Sequence, residues 1–204
     1  MSEGSDHNKQ TQVQRREKTH ASLLSSACRL FGERGYEATS LEDVAEDCGF
    51  TIRPIYYYFG SKRQLFAAVN ALMEQRAREA LFAASSVMAW EAFLALCEDQ
   101  AFRRIVLEDA PNVLGRERWP ASQCFPWSGV LGGDERQLES ARNRQTEMCG
   151  RVARAALTEA AIAVIEADND TIARSEAIEL IARLLPGSSF PEISSSAQSN
   201  IIKS

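Results

Sequence analysis

Histidine is scarce in this chain, and cysteine pairing is missing. Only two histidines, His7 and His20, occur among 204 residues. Neither has a partner at metal-ligand spacing, which argues against a histidine-built metal centre and against a Ser-His-Asp triad. The five cysteines, Cys28, Cys48, Cys97, Cys124 and Cys149, are odd in number, far apart and form no C-x-x-C pair. Reduced thiols in a cytoplasmic protein are therefore expected. No nucleophile lies beside a base, and there is neither a phosphate loop nor a carboxylate constellation. The expectation is a non-enzyme without catalytic residues, metal or cofactor. The longest uncharged stretch of note, 119–133, is interrupted by Pro120, Pro126 and glycines, so it cannot form a membrane-spanning helix. The polar opening, MSEGSDHNKQTQVQRREK, lacks the apolar run of a signal peptide. Strand-like alternation and internal repeats are also lacking.

The formal net charge is −5, and on its face that weighs against nucleic acid. A sum over the whole chain can hide a local basic face, so the arrangement decides more than the total.

What is present is helical periodicity. Residues 1–14 are polar and aperiodic and are expected to form a disordered arm. The Ser- and Pro-rich stretch 186–204 is expected to be a disordered tail. Leu23, Leu24, Ala27, Leu30 and Phe31 mark one apolar stripe on a helix from about Arg16 to Arg34, stopped by Gly35. His20 falls on the same side one turn earlier and reads as a residue touching the core edge. Ser40 with Asp43 three positions on resembles a capping box, with Asp replacing the usual Glu. In the helix that follows, Leu41, Val44, Ala45 and Cys48 point one way, and the acidic Glu42, Asp43, Glu46 and Asp47 point the other. Gly49 ends it and Thr51 is placed to cap the next helix, whose first turn contains Pro54. Gly60 and Ser61 then separate this short helix from a long one through Leu81, which Ser61 is placed to cap. Further helices are expected over 88–109, 113–119, 143–167 and 171–185, with an irregular segment at 120–134.

Ser40 to Phe59 thus has the form helix, glycine turn, short helix, the pattern of a helix-turn-helix. At about 100° per residue, Ile52, Ile55 and Phe59 cluster on one side of the third helix. Arg53, Pro54, Tyr57 and Tyr58 take the other, and Tyr56 lies at the boundary. Exposed aromatics beside a cation suit a DNA groove, where hydroxyls and guanidinium meet phosphates and base edges.

The run SSACRLFGERGYEATSLEDVAEDCGFTIRPIYYYFGSKRQLF, residues 25–66, resembles the DNA-binding domain of TetR-family regulators. The matching positions are Ala27, Leu30-Phe31, Gly35-Tyr36, Thr39-Ser40, Val44-Ala45, Gly49, Tyr56, Tyr58-Phe59, Ser61-Lys62 and Leu65. Segments 109–119 and 157–185 resemble, more weakly, the C-terminal half of some members. The resemblance implies an all-α fold: a three-helix helix-turn-helix domain over 15–66 (helix-turn-helix 40–59), joined by a long helix to an effector-binding and dimerisation domain over 67–185. It implies base-edge contacts from Arg53, Pro54 and Tyr57, and phosphate contacts from Thr39, Ser40, Thr51, Tyr56, Tyr58 and Lys62. Arg15, Arg16 and Lys18 are candidates for further backbone contacts. Ile52 departs from the small polar or basic residue common at its position, so the operator sequence is left open.

The resemblance further implies a homodimer on a palindromic operator and a repressor released by a small molecule. Val152, Ala155, Ala156, Ile162, Ile178, Ile181 and Leu185 are the candidate dimer residues. Met88, Trp90, Phe93, Cys97, Phe102, Trp119, Phe125 and Trp127 are the candidate effector contacts. Their character favours an apolar or aromatic effector. The competing readings are a helical small-molecule-binding protein or enzyme without DNA binding, and an adaptor that uses its Ala-rich helices to bind partners.

Overall fold

A computed structural model describes residues 3–82, 86–115, 144–168 and 170–184. Among the described residues the regular structure is entirely helical. The elements are α1 (Glu3–Arg34), α2 (Leu41–Asp47), α3 (Arg53–Phe59), α4 (Lys62–Phe82), α5 (Ser86–Glu98), α6 (Gln100–Phe102), a π-helical segment (Arg103–Asp109), α7 (Ala110–Val113), α8 (Arg144–Glu166) and α9 (Thr171–Leu184). No helix among the described residues is long and apolar enough to cross a membrane.

Two differences from the expected elements stand out. Glu3 to Gln14, read as a disordered arm, are continuous with α1. Polar composition forbids burial of a helix but not the helix itself, because Gln, Lys, Glu and Arg are good helix formers. The helix expected over 88–109 is interrupted. Asp99 accepts the Ala101 N–H at 2.8 Å and starts a new element, and Pro111 lies in the first turn of α7 instead of ending its predecessor. The candidate tail 186–204, the irregular segment 120–134 and the end of the helix expected over 113–119 lie outside the described residues.

The chain divides into two compact units: residues 1–76 with 99–122, and residues 77–98 with 123–204. The first unit therefore extends past the boundary expected at Phe66 and takes in the stretch after α5. Its core joins Leu23, Ala27, Leu30 and Phe31 of α1 to Val44 of α2, Ile55 of α3, and Leu65 and Phe66 of α4, all buried. Phe31 and Phe66 meet edge to face at 5.2 Å, and Tyr36 packs on both. Truncating such a buried ring typically costs about 3–5 kcal/mol.

The segment after α5 is fastened to this head. Gly32 lies against Ala101, where an added Cβ would fall 2.5 Å from the alanine Cβ. That close approach explains a glycine inside a helix, where it costs about 1 kcal/mol against alanine. The Tyr36 N–H donates to the Asp109 carboxylate at 2.7 Å. The Arg63 guanidinium donates to the Val113 and Leu114 carbonyls at 3.0 and 3.1 Å, satisfying the open end of α7.

The second unit buries Trp90, Phe93, Leu94 and Cys97 of α5 with Leu157, Ala161 and Val164 of α8 and Ile181 of α9. An ion pair of 2.7 Å between Arg174 and Glu91 links α9 to α5.

Candidate nucleic-acid interface

The helix-turn-helix is built from local chemistry. Ser40 caps α2: its Oγ accepts the Asp43 N–H at 3.0 Å, while the Asp43 carboxylate accepts the Ser40 N–H at 2.8 Å. This is the expected capping box, with Asp reaching back as Glu would. The Ser40 hydroxyl donates to the same carboxylate at 2.7 Å, and these two bonds hold Asp43 below the ordinary carboxylate pKa. Gly49 makes the turn at φ +68°, a left-handed conformation that side-chain-bearing residues rarely adopt. The cap of α3 differs from expectation. Ile52 occupies the position before the helix with no side-chain hydrogen bond, and Thr51 stays exposed. Ser61 does cap α4, accepting the Gln64 N–H at 3.2 Å.

The third helix is oriented as its periodicity dictates. Ile55 and Phe59 are buried, while Arg53 is exposed, Tyr57 is 71% exposed and Tyr56 is 53% exposed. Pro54 and Tyr58 are half-buried. His20 of α1 stacks on Phe59 at 4.9 Å, in agreement with its reading as a core-edge residue. Lys62 is half-buried, with its ammonium 4.2 Å above the Tyr36 ring and donating to the Glu37 carbonyl at 3.4 Å. Arg15, Arg16 and Lys18 are exposed on α1.

The acidic run on α2 is partly tied down. Asp47 accepts the Ser26 hydroxyl at 2.5 Å and pairs with Arg29, and these partners lower its pKa. Asp43 serves the cap, while Glu42 and Glu46 are exposed on α2.

Residues 23–69 match the family described as bacterial regulatory proteins, tetR family. Residues 83–188, more than half of the chain, match the tetracyclin repressor-like C-terminal domain. The chain belongs to the tetR family. Among curated relatives, the uncharacterized HTH-type transcriptional regulator YezE of Bacillus subtilis is 42% identical over 55 residues, 26% of this chain and 28% of that protein. IcaR of Staphylococcus aureus, a negative transcriptional regulator of a biofilm operon, is 34% identical over 44 residues, 22% of this chain and 24% of that protein. The matched stretch thus spans about a quarter of each relative. A tetR-family transcription regulator from Shewanella sp. PV-4 shares the fold with a TM-score of 0.61 at 17% identity, covering 79% of this chain and 94% of that one.

Within this tetR-family head, one expected phosphate contact is displaced. Thr39 is fully buried, and its one hydroxyl proton is shared inward between the Gly35 carbonyl at 2.9 Å and the Leu30 carbonyl at 3.2 Å. A small hydroxyl at a helix-to-helix corner readily bonds backbone carbonyls at the preceding helix end. The Ser40 oxygen is likewise committed to its cap.

The other expected sites divide between the two units. Trp90, Phe93 and Cys97 are buried in the second unit, whereas Phe102 is buried in the first. Met88 lies in α5, its side chain outside the described residues, as are Trp119, Phe125 and Trp127 altogether. Of the expected dimer residues, Val152 and Ala155 are exposed, and Ala156, Ile162 and Ile178 are half-buried. Ile181 is fully buried in its own chain, so it cannot face a partner. Ile172 and Leu180 are the large apolar residues left exposed on α9. Periodicity did not separate Leu180 from Ile181, because adjacent apolar residues do not reveal which one the core claims. Leu185 lies outside the described residues.

Proposed function

We propose that this chain is a sequence-specific DNA-binding transcription regulator. It acts in the cytoplasm as a homodimeric repressor and leaves a palindromic operator when a small molecule binds. One observation carries the reading: α3 buries Ile55 and Phe59 while leaving Arg53 and Tyr57 free in solvent. A seven-residue helix has no stability reason to expose a phenol and a guanidinium side by side. A major groove offers both of them partners.

In this reading Arg53, Pro54 and Tyr57 meet base edges. Thr51, Tyr56, Tyr58 and Lys62 meet phosphates, with Arg15, Arg16 and Lys18 adding charge along the backbone. The C-terminal helical part senses the effector and forms the dimer. Val152, Ile172 and Leu180 leave apolar surface on α8 and α9 that a second copy would cover. The buried apolar and aromatic side chains of α5 favour an apolar or aromatic effector. IcaR, a negative regulator, supports repression as the mode.

A gel shift with the DNA flanking the chain's own gene tests the reading. Each of Arg53→Ala and Tyr57→Ala is expected to lose about 1–3 kcal/mol of preference for that fragment over unrelated duplex. Their thermal melts should stay unchanged. If both variants bind the fragment with wild-type affinity, the reading fails.

A further inference from the structure

Tyr57 is the most exposed large hydrophobic side chain on the helix-turn-helix, yet its ring is not isolated. It meets Tyr58 edge to face with centroids 4.9 Å apart and planes at 79°. Tyr58 in turn meets His20 of α1 edge to face at 5.5 Å and 79°. His20 is anchored from below, stacked on the buried Phe59 at 4.9 Å with planes 26° apart. The three rings form a ladder from the core edge of α1 to the tip of α3. Such edge-to-face pairs hold ring orientation as well as adding contact.

We infer that His20 is a positioning residue for sequence readout: through Tyr58 it fixes the direction in which Tyr57 projects. An exposed tyrosine swings among rotamers, and freezing it on association costs affinity for the site that needs one rotamer. Non-specific binding runs on phosphate charge and needs no such rotamer. The ladder therefore acts on selectivity far more than on the general attraction to DNA, to which Tyr58 adds one uncharged phosphate contact beside the cations. This inference rests on the regulator reading above.

The test uses the full chain and two probes: a duplex recovered from a random pool by the wild-type protein, and a random-sequence duplex. His20→Ala is expected to lower the ratio of the two affinities about tenfold, the size of one ordered side chain, with binding to random duplex kept. His20→Phe, which keeps a stacking ring, restores the ratio. In the Tyr57→Ala background, His20→Ala adds no further loss. His20→Gln, which keeps polarity without a ring, serves beside His20→Ala should the smaller residue loosen the head. An unchanged ratio overturns the inference and leaves the regulator reading standing. So does an equal fall on both probes, failure of His20→Phe to restore, or a second loss in the Tyr57→Ala background. Failure of the wild-type chain to enrich any sequence removes the regulator reading itself.

Discussion

At the scale of single residues, hydroxyl and ammonium groups separate by what they already hold. Thr39 spends its hydroxyl on two internal carbonyls, so its identity serves the fold. Lys62 keeps its ammonium at the surface, steadied by the Tyr36 ring and the Glu37 carbonyl. A cation held at a ring face is preorganised for a phosphate, which carries charge without sequence. Lys62→Ala is expected to weaken selected and random duplexes by the same factor. The slope of log affinity against log salt should become shallower by about 0.9, one phosphate contact. Salt titrations by fluorescence anisotropy measure this, and an unaltered slope contradicts the assigned role. Which hydroxyl faces inward was not legible in the sequence. Thr39 and Thr51 are the same residue type beside a helix start, and only the tertiary position of the Leu30 and Gly35 carbonyls tells them apart.

At the scale of elements, caps and periodicity carried the reading furthest. The Ser40–Asp43 box, the Gly49 turn, the Ser61 cap and the inward side of α3 were all visible as local patterns, because each depends on neighbours within four positions. The fastening of α6 and α7 to the head was not visible. Gly32 against Ala101 and Asp109 on the Tyr36 N–H join residues about seventy positions apart, which no local pattern encodes. The α2 cap makes a pH-dependent prediction. The folded pKa values of Asp43 and Asp47 are lowered, by Ser40 and by Ser26 with Arg29. Depressed carboxylate pKa values give stability that is present above the unfolded value, near 4, and lost as pH falls through the folded values. Thermal melts should therefore hold from neutral pH to about 4 and fall below it. Ser40→Ala should cost about 1 kcal/mol at neutral pH and flatten that acid limb, because Asp43 loses a partner. A Ser40→Ala chain with the wild-type acid profile would show that the box does not set it.

At the scale of the whole molecule, the family was legible from one quarter of the chain, and the remainder was legible mainly as helix. The reason is physical. In the proposed reading the head must fit a fixed geometry of DNA, so its turn, caps and exposed ring are constrained together. The C-terminal helices need only be apolar where they pack, and many sequences meet that need. Burial of Ile181 and exposure of Leu180 show how little periodicity alone says about which apolar side meets the chain's own core. In the proposed dimer two copies of the α3 face engage one duplex, with the heads spaced to meet successive major grooves roughly 34 Å apart. Selection of bound DNA from a random pool with the full chain measures this most directly. A palindrome with half-sites about one helical turn apart is expected to be enriched, and to be lost in Arg53→Ala. A pool that stays random after repeated rounds, or that yields a site indifferent to Arg53, would contradict it.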